Sequence, residues 1–318
     1  AKKRVRVDSE AEAKRLLGRA RFRATREGST ATLVVDDPGC GRCEFSADMK
    51  VSAPRVTLET MLSTRGGAVE AYDLDGRVTA ATAGGAIQMD RIGHSVRASS
   101  AGGPITLGTI GGPVRVETAG GPIKLGAAGG DAVLTTSAGS IDADQVDGSG
   151  RAETAGGSIR LGRVKGGVTA ETAGGSIHLN HIGGQIVAET AGGSITVESS
   201  SGGVRADNAN GTIKLLDVAG ALRAETASGN IWAQLLAGHA MADSLLETSM
   251  GSIVVVIPVD LKLTIRALVE GADSLGRIQC DFPGIQIRRL DPGVGPSEVV
   301  AEGVLNGGGP VLRIRNTA

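Results

Sequence analysis

Aromatic residues, cysteine and an excess of either charge are all scarce in this sequence. Phe, Trp and Tyr make up 2% of the 318 residues, three residues are Cys, and the formal net charge is −1. A chain that is neither basic nor rich in stacking aromatics lacks the usual features of nucleic-acid binding. The longest strongly apolar run, SIVVVIPV at residues 252–259, is far too short to span a bilayer. We therefore expect no nucleic-acid partner and no membrane span.

The few cysteines leave several chemistries open. Cys40 and Cys43 have CxxC spacing in the segment PGCGRCE, and Cys280 stands apart from them. If the protein is secreted, a local disulfide between Cys40 and Cys43 is the first interpretation. A zinc site would need two further ligands nearby, haem attachment would need His where Glu44 stands, and a thioredoxin-like role would need a βαβ setting. We predict no cofactor.

Glycine, by contrast, is abundant, and it marks a repeat. The chain contains 50 Gly, and nineteen of the twenty positions spaced nine residues apart from Gly67 to Gly238 are Gly, with His94 as the exception. A fixed period is typical of repeat architectures. A second grid has a period of eighteen and an apolar marker in each GGSI-like motif: Val69, Ile87, Ile105, Ile123, Ile141, Ile159, Ile177, Ile195, Ile213 and Ile231.

Each nine-residue unit has the pattern of a short strand and a tight turn. Apolar and polar residues alternate, as in Ile159, Arg160 and Leu161, which is typical of a strand. A Gly two residues before each strand marks a turn that needs a positive φ or a close backbone approach. We predict structural roles for the turn glycines Gly157, Gly166, Gly175, Gly184, Gly193 and Gly202 and for the inward-facing Ile159, Ile177 and Ile195.

The repeat predicts an all-β fold, a parallel β-solenoid or β-helix with eighteen residues per coil in two nine-residue halves. Right-handed winding is the default for parallel crossovers, so we expect it here. The ten regular coils would make a rod of roughly 48 Å at the usual strand spacing. A thin coil has no room for rings, which explains the shortage of aromatic residues.

The flanks of the repeat predict a chain of three parts. Residues 1–50 have the strand patterns KRVRV and TATLVVDD around a helical segment that Ser9 can cap, so we expect a small α/β cap at this end. Residues 51–255 form the solenoid repeats. Residues 256–318 are expected to continue or cap the solenoid with longer strands.

Two positions near the second flank interrupt the regular pattern. The marker after Ile231 is Ile253, which indicates an insertion of four residues. The last segment, LRIRNTA, matches the start of a coil with Leu312 in a strand position, and it stops one residue before the expected turn glycine. This match predicts an unfinished coil with an exposed strand edge. Either further chain completes the coil, or another copy does so, for which its KRVRV strand could pair by β-augmentation.

Two columns of charge are expected on one outer face. In stacked coils like charges would lie about 5 Å apart, and opposite charges two residues away would offset their repulsion. We therefore predict a mixed-charge wall. The charged columns are Glu117, Glu153, Glu171, Glu189, Asp207 and Glu225, with Arg115, Arg151, Arg205 and Arg223 two residues earlier.

An inward Thr column, which includes Thr136 and Thr154, is predicted to bond turn backbone or other hydroxyls along the stack.

Metal binding by the repeat is not predicted. The calcium-binding β-roll places a carboxylate four residues after its second Gly, where this chain has apolar residues such as Leu161. His178 and His181 in HLNH could hold a metal ion together, but we expect His178 to point outward from a strand and His181 to lie in a turn. Solvated surface histidines are the better interpretation.

Catalysis is not predicted either. The obvious comparison is with polysaccharide lyases and hydrolases built on β-helices, whose clefts are walled by loops inserted between strands. From Val69 to Ile231 this grid contains no insertion. We therefore predict no catalytic residues.

The ETAGGSI coils, the EAEAKRLL helix before them and the late segment LNGGGPVLRIRN together resemble the bacterial adhesin-like family of β-solenoid domains of unknown function. The resemblance covers nearly the whole chain, implies an extracellular, cell-surface or periplasmic location, and supplies no catalytic residues. We expect a structural, adhesin-like protein that assembles end to end into a homo-oligomer or filament, or binds a cell-surface or polysaccharide ligand. The alternative is a carbohydrate-binding module or a polysaccharide-active enzyme.

Overall fold

A computed structural model describes residues 2–6, 9–19, 21–35, 44–48, 51–271, 278–290 and 298–317. Before the repeat it has one helix, α1 (Glu10–Arg19), and four strands: β1 (Lys2–Arg6), β2 (Phe22–Glu27), β3 (Thr30–Val35) and β4 (Glu44–Asp48).

The elements of this first region agree with the sequence patterns. The first helical hydrogen bond runs from the Ala13 amide to the Ser9 carbonyl at 2.9 Å, so α1 begins directly after Ser9, as predicted. The KRVRV and TATLVV patterns are β1 and β3. β1 pairs antiparallel with β4, and β2 pairs antiparallel with β3. The role of this region as an end cap stays a prediction.

The repeat folds as the predicted parallel β-solenoid. Even-numbered strands form one sheet and odd-numbered strands the other, and each strand pairs in parallel with the strand eighteen residues later, as in Ile159 with Ile177. The strands are β5 (Glu59–Thr64), β6 (Val69–Leu74), β7 (Arg77–Thr82), β8 (Ile87–Ile92), β9 (Val96–Ser100), β10 (Ile105–Ile110), β11 (Val114–Thr118), β12 (Ile123–Ala128), β13 (Ala132–Thr136), β14 (Ile141–Val146), β15 (Gly150–Thr154), β16 (Ile159–Val164), β17 (Val168–Thr172), β18 (Ile177–Ile182), β19 (Ile186–Thr190), β20 (Ile195–Ser200), β21 (Val204–Asn208), β22 (Ile213–Val218), β23 (Leu222–Ser228), β24 (Ile231–Leu235), β25 (Ser244–Met250) and β26 (Ile253–Val256).

The core is a set of apolar ladders between the two sheets. Ile177 and Ile195 are fully buried, and Ile159 is 1% exposed, because each marker lies directly over the marker of the coil before it. Burial of this kind stabilises a fold by about 25 cal/mol per Å² of apolar surface. The narrow core is filled by Ile, Val, Leu and Ala, in agreement with the aromatic-poor composition.

The four-residue insertion is absorbed outside the strands. Ile231 pairs with Ile253 and Arg223 with Leu245, so the spacing of 22 residues restores the same register on both sheets. The extra residues lie in the loop 236–243 between β24 and β25. Outer surface loops accommodate insertions with little loss of stability.

Four more strands extend the odd-numbered sheet, which has fifteen strands in the described residues; the even-numbered sheet has eleven. They are β27 (Leu263–Glu270), β28 (Gln286–Leu290), β29 (Glu298–Leu305) and β30 (Val311–Asn316), and the order beyond β25 is β30, β27, β29, β28. In the described residues, the predicted continuation by longer strands therefore lies on one of the two sheets, through β27 to β30.

The predicted exposed edge on the last strand is wrong. Leu312 does occupy a repeat position, since it pairs with Ser244 of β25, but it also pairs with Ile265 of β27. β30 thus has a neighbour on each side, and Leu312 is 1% exposed. The strand order differs from the chain order because β27 does not pair with β25. The later strand β30 lies between these two strands and pairs with both.

Candidate functional site

A buried column of hydroxyl groups ties each coil to the one before it. The Thr136 Oγ1 donates to the Gly121 carbonyl at 3.0 Å and accepts a hydrogen bond from the Gly139 amide at 3.2 Å. The prediction of bonding to turn backbone is confirmed. Each such hydroxyl satisfies two buried backbone groups, so its role is structural. The same pattern recurs at Thr82, Ser100, Thr118, Thr154, Thr172, Thr190 and, with its side-chain amide, Asn208.

The six turn glycines singled out from the sequence are required by close approach and not by a positive φ. A Cβ on Gly175 would lie 1.9 Å from the Gly157 carbonyl oxygen, and one on Gly193 would lie 2.0 Å from that of Gly175. The half-period glycines are similarly close to the preceding turn, with a Cβ on Gly184 2.6 Å from the Gly167 amide nitrogen. Among the six glycines singled out from the sequence, the others are Gly157, Gly166 and Gly202, which also lack space for a Cβ.

An acidic ladder follows one outer face of the odd-numbered sheet. Its members lie in register on consecutive strands from β15 to β25, as the sequence predicted for all but the last. Thr135 separates Glu117 from the continuous part. Glu247 was missed because the insertion moves it off the grid, although the motif ETSMGSI still marks it. The ladder is Glu153, Glu171, Glu189, Asp207, Glu225 and Glu247.

An arginine ladder lies two residues away on the same strands. Arg205 Nε is 2.8 Å from Asp207 Oδ2, Arg223 is 2.7 Å from Glu225, and Arg151 contacts Glu153. The hydrogen bond with Asp207 raises the pKa of the exposed Arg205 guanidinium above its ordinary value. Exposed pairs of this kind contribute at most about 1 kcal/mol each. The predicted offsetting of the acidic column by arginine is therefore confirmed at these strands.

The compensation is incomplete in the middle of the ladder. On β17 and β19 the arginine positions are occupied by Thr169 and Val187. Arg151 reaches across to Glu171, with 3.6 Å between Nη2 and Oε1. The carboxylates of Glu171 and Glu189 therefore lie in a stretch with arginines only at its two ends, and the negative charge of the face is greatest there.

An open groove runs beside the acidic ladder. It has a volume of about 940 Å³ and passes seven strands, β13 to β25, which is roughly 29 Å at the usual strand spacing. Its lining includes the residues of the acidic ladder and small residues of the turns, such as Ala173 and Ala191. Carboxylates at a spacing of about 4.8 Å can accept hydrogen bonds from hydroxyl or ammonium groups along an extended ligand.

The histidines of HLNH lie on the other sheet, and one of them was misplaced by the sequence prediction. His178 lies in the predicted outer column between Arg160 and Thr196. Its Nε2 is 3.2 Å from Glu198 Oε1. His181, however, lies within β18 and not in a turn. The strand continues there because His181 pairs with Arg163 of the coil before it and with Ser199 of the next coil. In the described part of the chain, no group of three or more His, Cys, Asp or Glu side chains could hold a metal ion.

Cys40 and Cys43 lie outside the described residues, so the local disulfide between them stays a prediction. Cys280 is a half-buried free thiol. Within the described residues, none of the helices has the length and apolar character that a membrane crossing requires. No protein-family model, curated protein or solved structure matches this chain.

Proposed function

We propose that this protein is a rigid structural rod with an adhesin-like role, located outside the cell, at the cell surface or in the periplasm. The single observation that carries the proposal is the uninterrupted stacking of coils from β6 to β24, with all inserted residues outside this stretch. Stacked repeats produce a long, stiff body with extended flat faces, and such faces suit presentation and broad contact. The resemblance of the ETAGGSI coils to adhesin-like β-solenoid domains supports the same role and location.

The chemistry of the faces also supports a structural role. The described outer surface of the odd-numbered sheet is a mixed-charge wall, which favours solubility and opposes unspecific stacking of one rod on the side of another. In the part of the chain that the structure describes, the charged side chains of this face lie in regular ladders along the strands. We therefore propose that the protein acts through its long, stiff shape and through the extended faces that it presents for contact.

Fractionation of native cells tests the location and the role. We expect antibodies to detect the protein in the envelope or the medium. We also expect the cells to lose surface attachment when the gene is deleted. A cytosolic enzyme serves as the control for leakage. Recovery of the protein with that enzyme alone would reject the proposal.

A polysaccharide-binding module, or an enzyme on the same fold, is the second candidate, and the open groove is the observation that favours it. The straight groove suits an extended polymer, and the carboxylates of Glu171 and Glu189 can accept hydrogen bonds from sugar hydroxyls. A glycan array combined with a turnover assay distinguishes the candidates. Binding to one polysaccharide that is weakened by Glu171→Gln with Glu189→Gln, but not by His178→Ala on the other sheet, would favour the second candidate.

A further inference from the structure

The two sheets of the solenoid end at different levels after the last coil. β25 and β26 are the two strands of this coil, but the odd-numbered sheet continues with β30, β27, β29 and β28, while β26 is the edge of the even-numbered sheet in the described residues. Four strands at a spacing of about 4.8 Å make an overhang of roughly 19 Å. This end of the rod is therefore a step and not a flat surface.

β30 occupies the place of the next repeat strand. Leu312 and Ile314 lie over Ser244 and Leu246 in the inner columns. The Asn316 Nδ2 donates to the Gly251 carbonyl at 2.8 Å, which repeats the bond from Asn208 to the Gly193 carbonyl at 2.7 Å three coils earlier. The backbone groups on the free side of β25 are thus already used.

Contacts from outside the repeat hold the overhang in place. The Asn306 Nδ2 donates to the carbonyls of Val259 and Leu261 at 2.7 and 2.8 Å, which holds the loop that carries the chain over the start of β27. The Val311 amide donates to Asp243 Oδ1 at 2.8 Å at the start of β30. These bonds connect the overhang both to itself and to the loop before β25.

At the opposite end of the solenoid, the two sheets end at the same coil in the described residues. β5 and β6 are the two strands of the first coil, and they are the end strands of their sheets in the described residues. For a second copy to continue the rod, its β6 would have to pair with β26, and its β5 would then have to pair with β25. That position is filled by β30.

We propose that the four strands β30, β27, β29 and β28 form a built-in stop that prevents a second copy of this chain from stacking coaxially on the rod. It uses the backbone groups of β25 that a stacking copy would need, and its four strands occupy the space of that copy's first coils. The stop is formed by the strand order and the hydrogen bonds of the overhang, and it does not depend on where the protein is located. It predicts a protein that stays a single rod, where the sequence by itself suggested filaments.

The test displaces β30 from its place beside β25 in the full-length protein. Leu312→Asp places a carboxylate in a position that is 1% exposed, so β30 should leave its place between β25 and β27. Arg313→Asp, on the outer face of the same strand, is the matched control. Hydrogen exchange reports whether β30 has left while the repeats stay protected. Light scattering and negative-stain microscopy report particle length.

We expect single rods for the native protein and for Arg313→Asp, and rods of two or more lengths joined end to end for Leu312→Asp. Coaxial filaments of the native protein would overturn the proposal. So would a Leu312→Asp protein that has lost protection at β30 but remains single or forms only shapeless aggregates. Unchanged protection at β30 would also contradict it, because the strand would then not be packed as described.

A second variant provides the test in case Leu312→Asp unfolds the whole protein. A Cβ on Gly309 would lie 2.4 Å from the Lys262 carbonyl oxygen, so Gly309→Val should displace the loop before β30 without placing a charge in the core. If Leu312→Asp loses protection throughout the repeats, Gly309→Val replaces it in the test. Rods joined end to end would then support the stop, and single particles that have lost protection at β30 would overturn it.

Discussion

Thr136 and Gly121 are fifteen positions apart in the chain, yet the hydroxyl of the first donates a hydrogen bond of 3.0 Å to the carbonyl of the second. The bond joins one coil to the preceding one at a turn, where the strands themselves no longer pair. Because the same hydroxyl also accepts from the Gly139 amide, it satisfies a donor and an acceptor inside the rod. The column is therefore part of what keeps successive turns in register.

Removal of this hydroxyl should destabilise the protein. Thr136→Val preserves the shape but leaves the Gly121 carbonyl and the Gly139 amide without their partner, and we expect a loss of about 1–3 kcal/mol in the free energy of unfolding. Thr136→Ser should recover most of the loss, since Ser100 makes both bonds in the same column. Denaturant unfolding measures the change. Thr135→Val on the outer face is the control, and an equal loss there would contradict the assignment.

The two adjacent glycines of one turn should respond very differently to a side chain. Gly175→Ala places a Cβ 1.9 Å from the Gly157 carbonyl oxygen, so the stacked turns must move apart, at a cost of about 1–3 kcal/mol or more. Gly174→Ala meets no atom closer than 3.8 Å and should be neutral within about 0.5 kcal/mol. Thermal unfolding of both variants provides the comparison. Similar melting temperatures would mean that the turns are not packed on one another.

Deletion of one complete coil should leave a folded protein. Without residues 160–177, Ile159 is followed by His178, which lies in the same column as Arg160, so the ladders on both sheets stay in register. Each coil contacts only its neighbours, and stability is roughly additive along the stack. We expect a rod shorter by about 4.8 Å with a slightly lower melting temperature.

Deletion of half a coil is the matched comparison. Without residues 160–168, a strand of one sheet would have to join the other, which mismatches the inner columns. We expect this variant to be much less stable by circular dichroism and thermal unfolding. Equal melting temperatures of the two deletions would argue against a paired nine-residue unit.

Acid should weaken the outer ion pairs. A hydrogen bond from Arg91 holds the pKa of Asp73 below its ordinary value, and Lys165, with Gln145, does the same for Asp147. Because the folded pKa lies below the unfolded one, the stabilisation is present above the unfolded value and is lost as the pH falls through the folded value.

The melting temperature of the native protein should therefore fall between about pH 5 and pH 2, and Asp73→Asn with Asp147→Asn should reduce that dependence. Asp142→Asn is the control on the same sheet. High salt should reduce the effect as well, since both carboxylates are at least partly in contact with solvent. A double variant with the same pH profile as the native protein would show that the pairs do not contribute.

The period of eighteen residues by itself determined the architecture of the repeat. A two-residue alternation decides which side chains face inward, and a turn glycine every nine residues decides where the chain changes sheets, so Ile159, Ile177 and Ile195 could be assigned to the core from their spacing alone. The positions of the acidic and arginine ladders follow from the same rule, because register in a parallel stack is set by the repeat length. The rule fails only where the grid is interrupted, as at Glu247 after the insertion, or where a strand runs further than expected, as at His181.

The tertiary structure alone decided why the glycines are needed and how the rod ends. A sequence cannot separate a positive φ from a close approach at Gly175, because only the stacked turn of the previous coil brings the Gly157 carbonyl to that position. The place of β30 between β25 and β27 was equally out of reach, because outside the repeat no period relates one strand to the next. There, pairing is chosen by the burial of residues such as Leu312, and burial depends on strands that are distant in the chain.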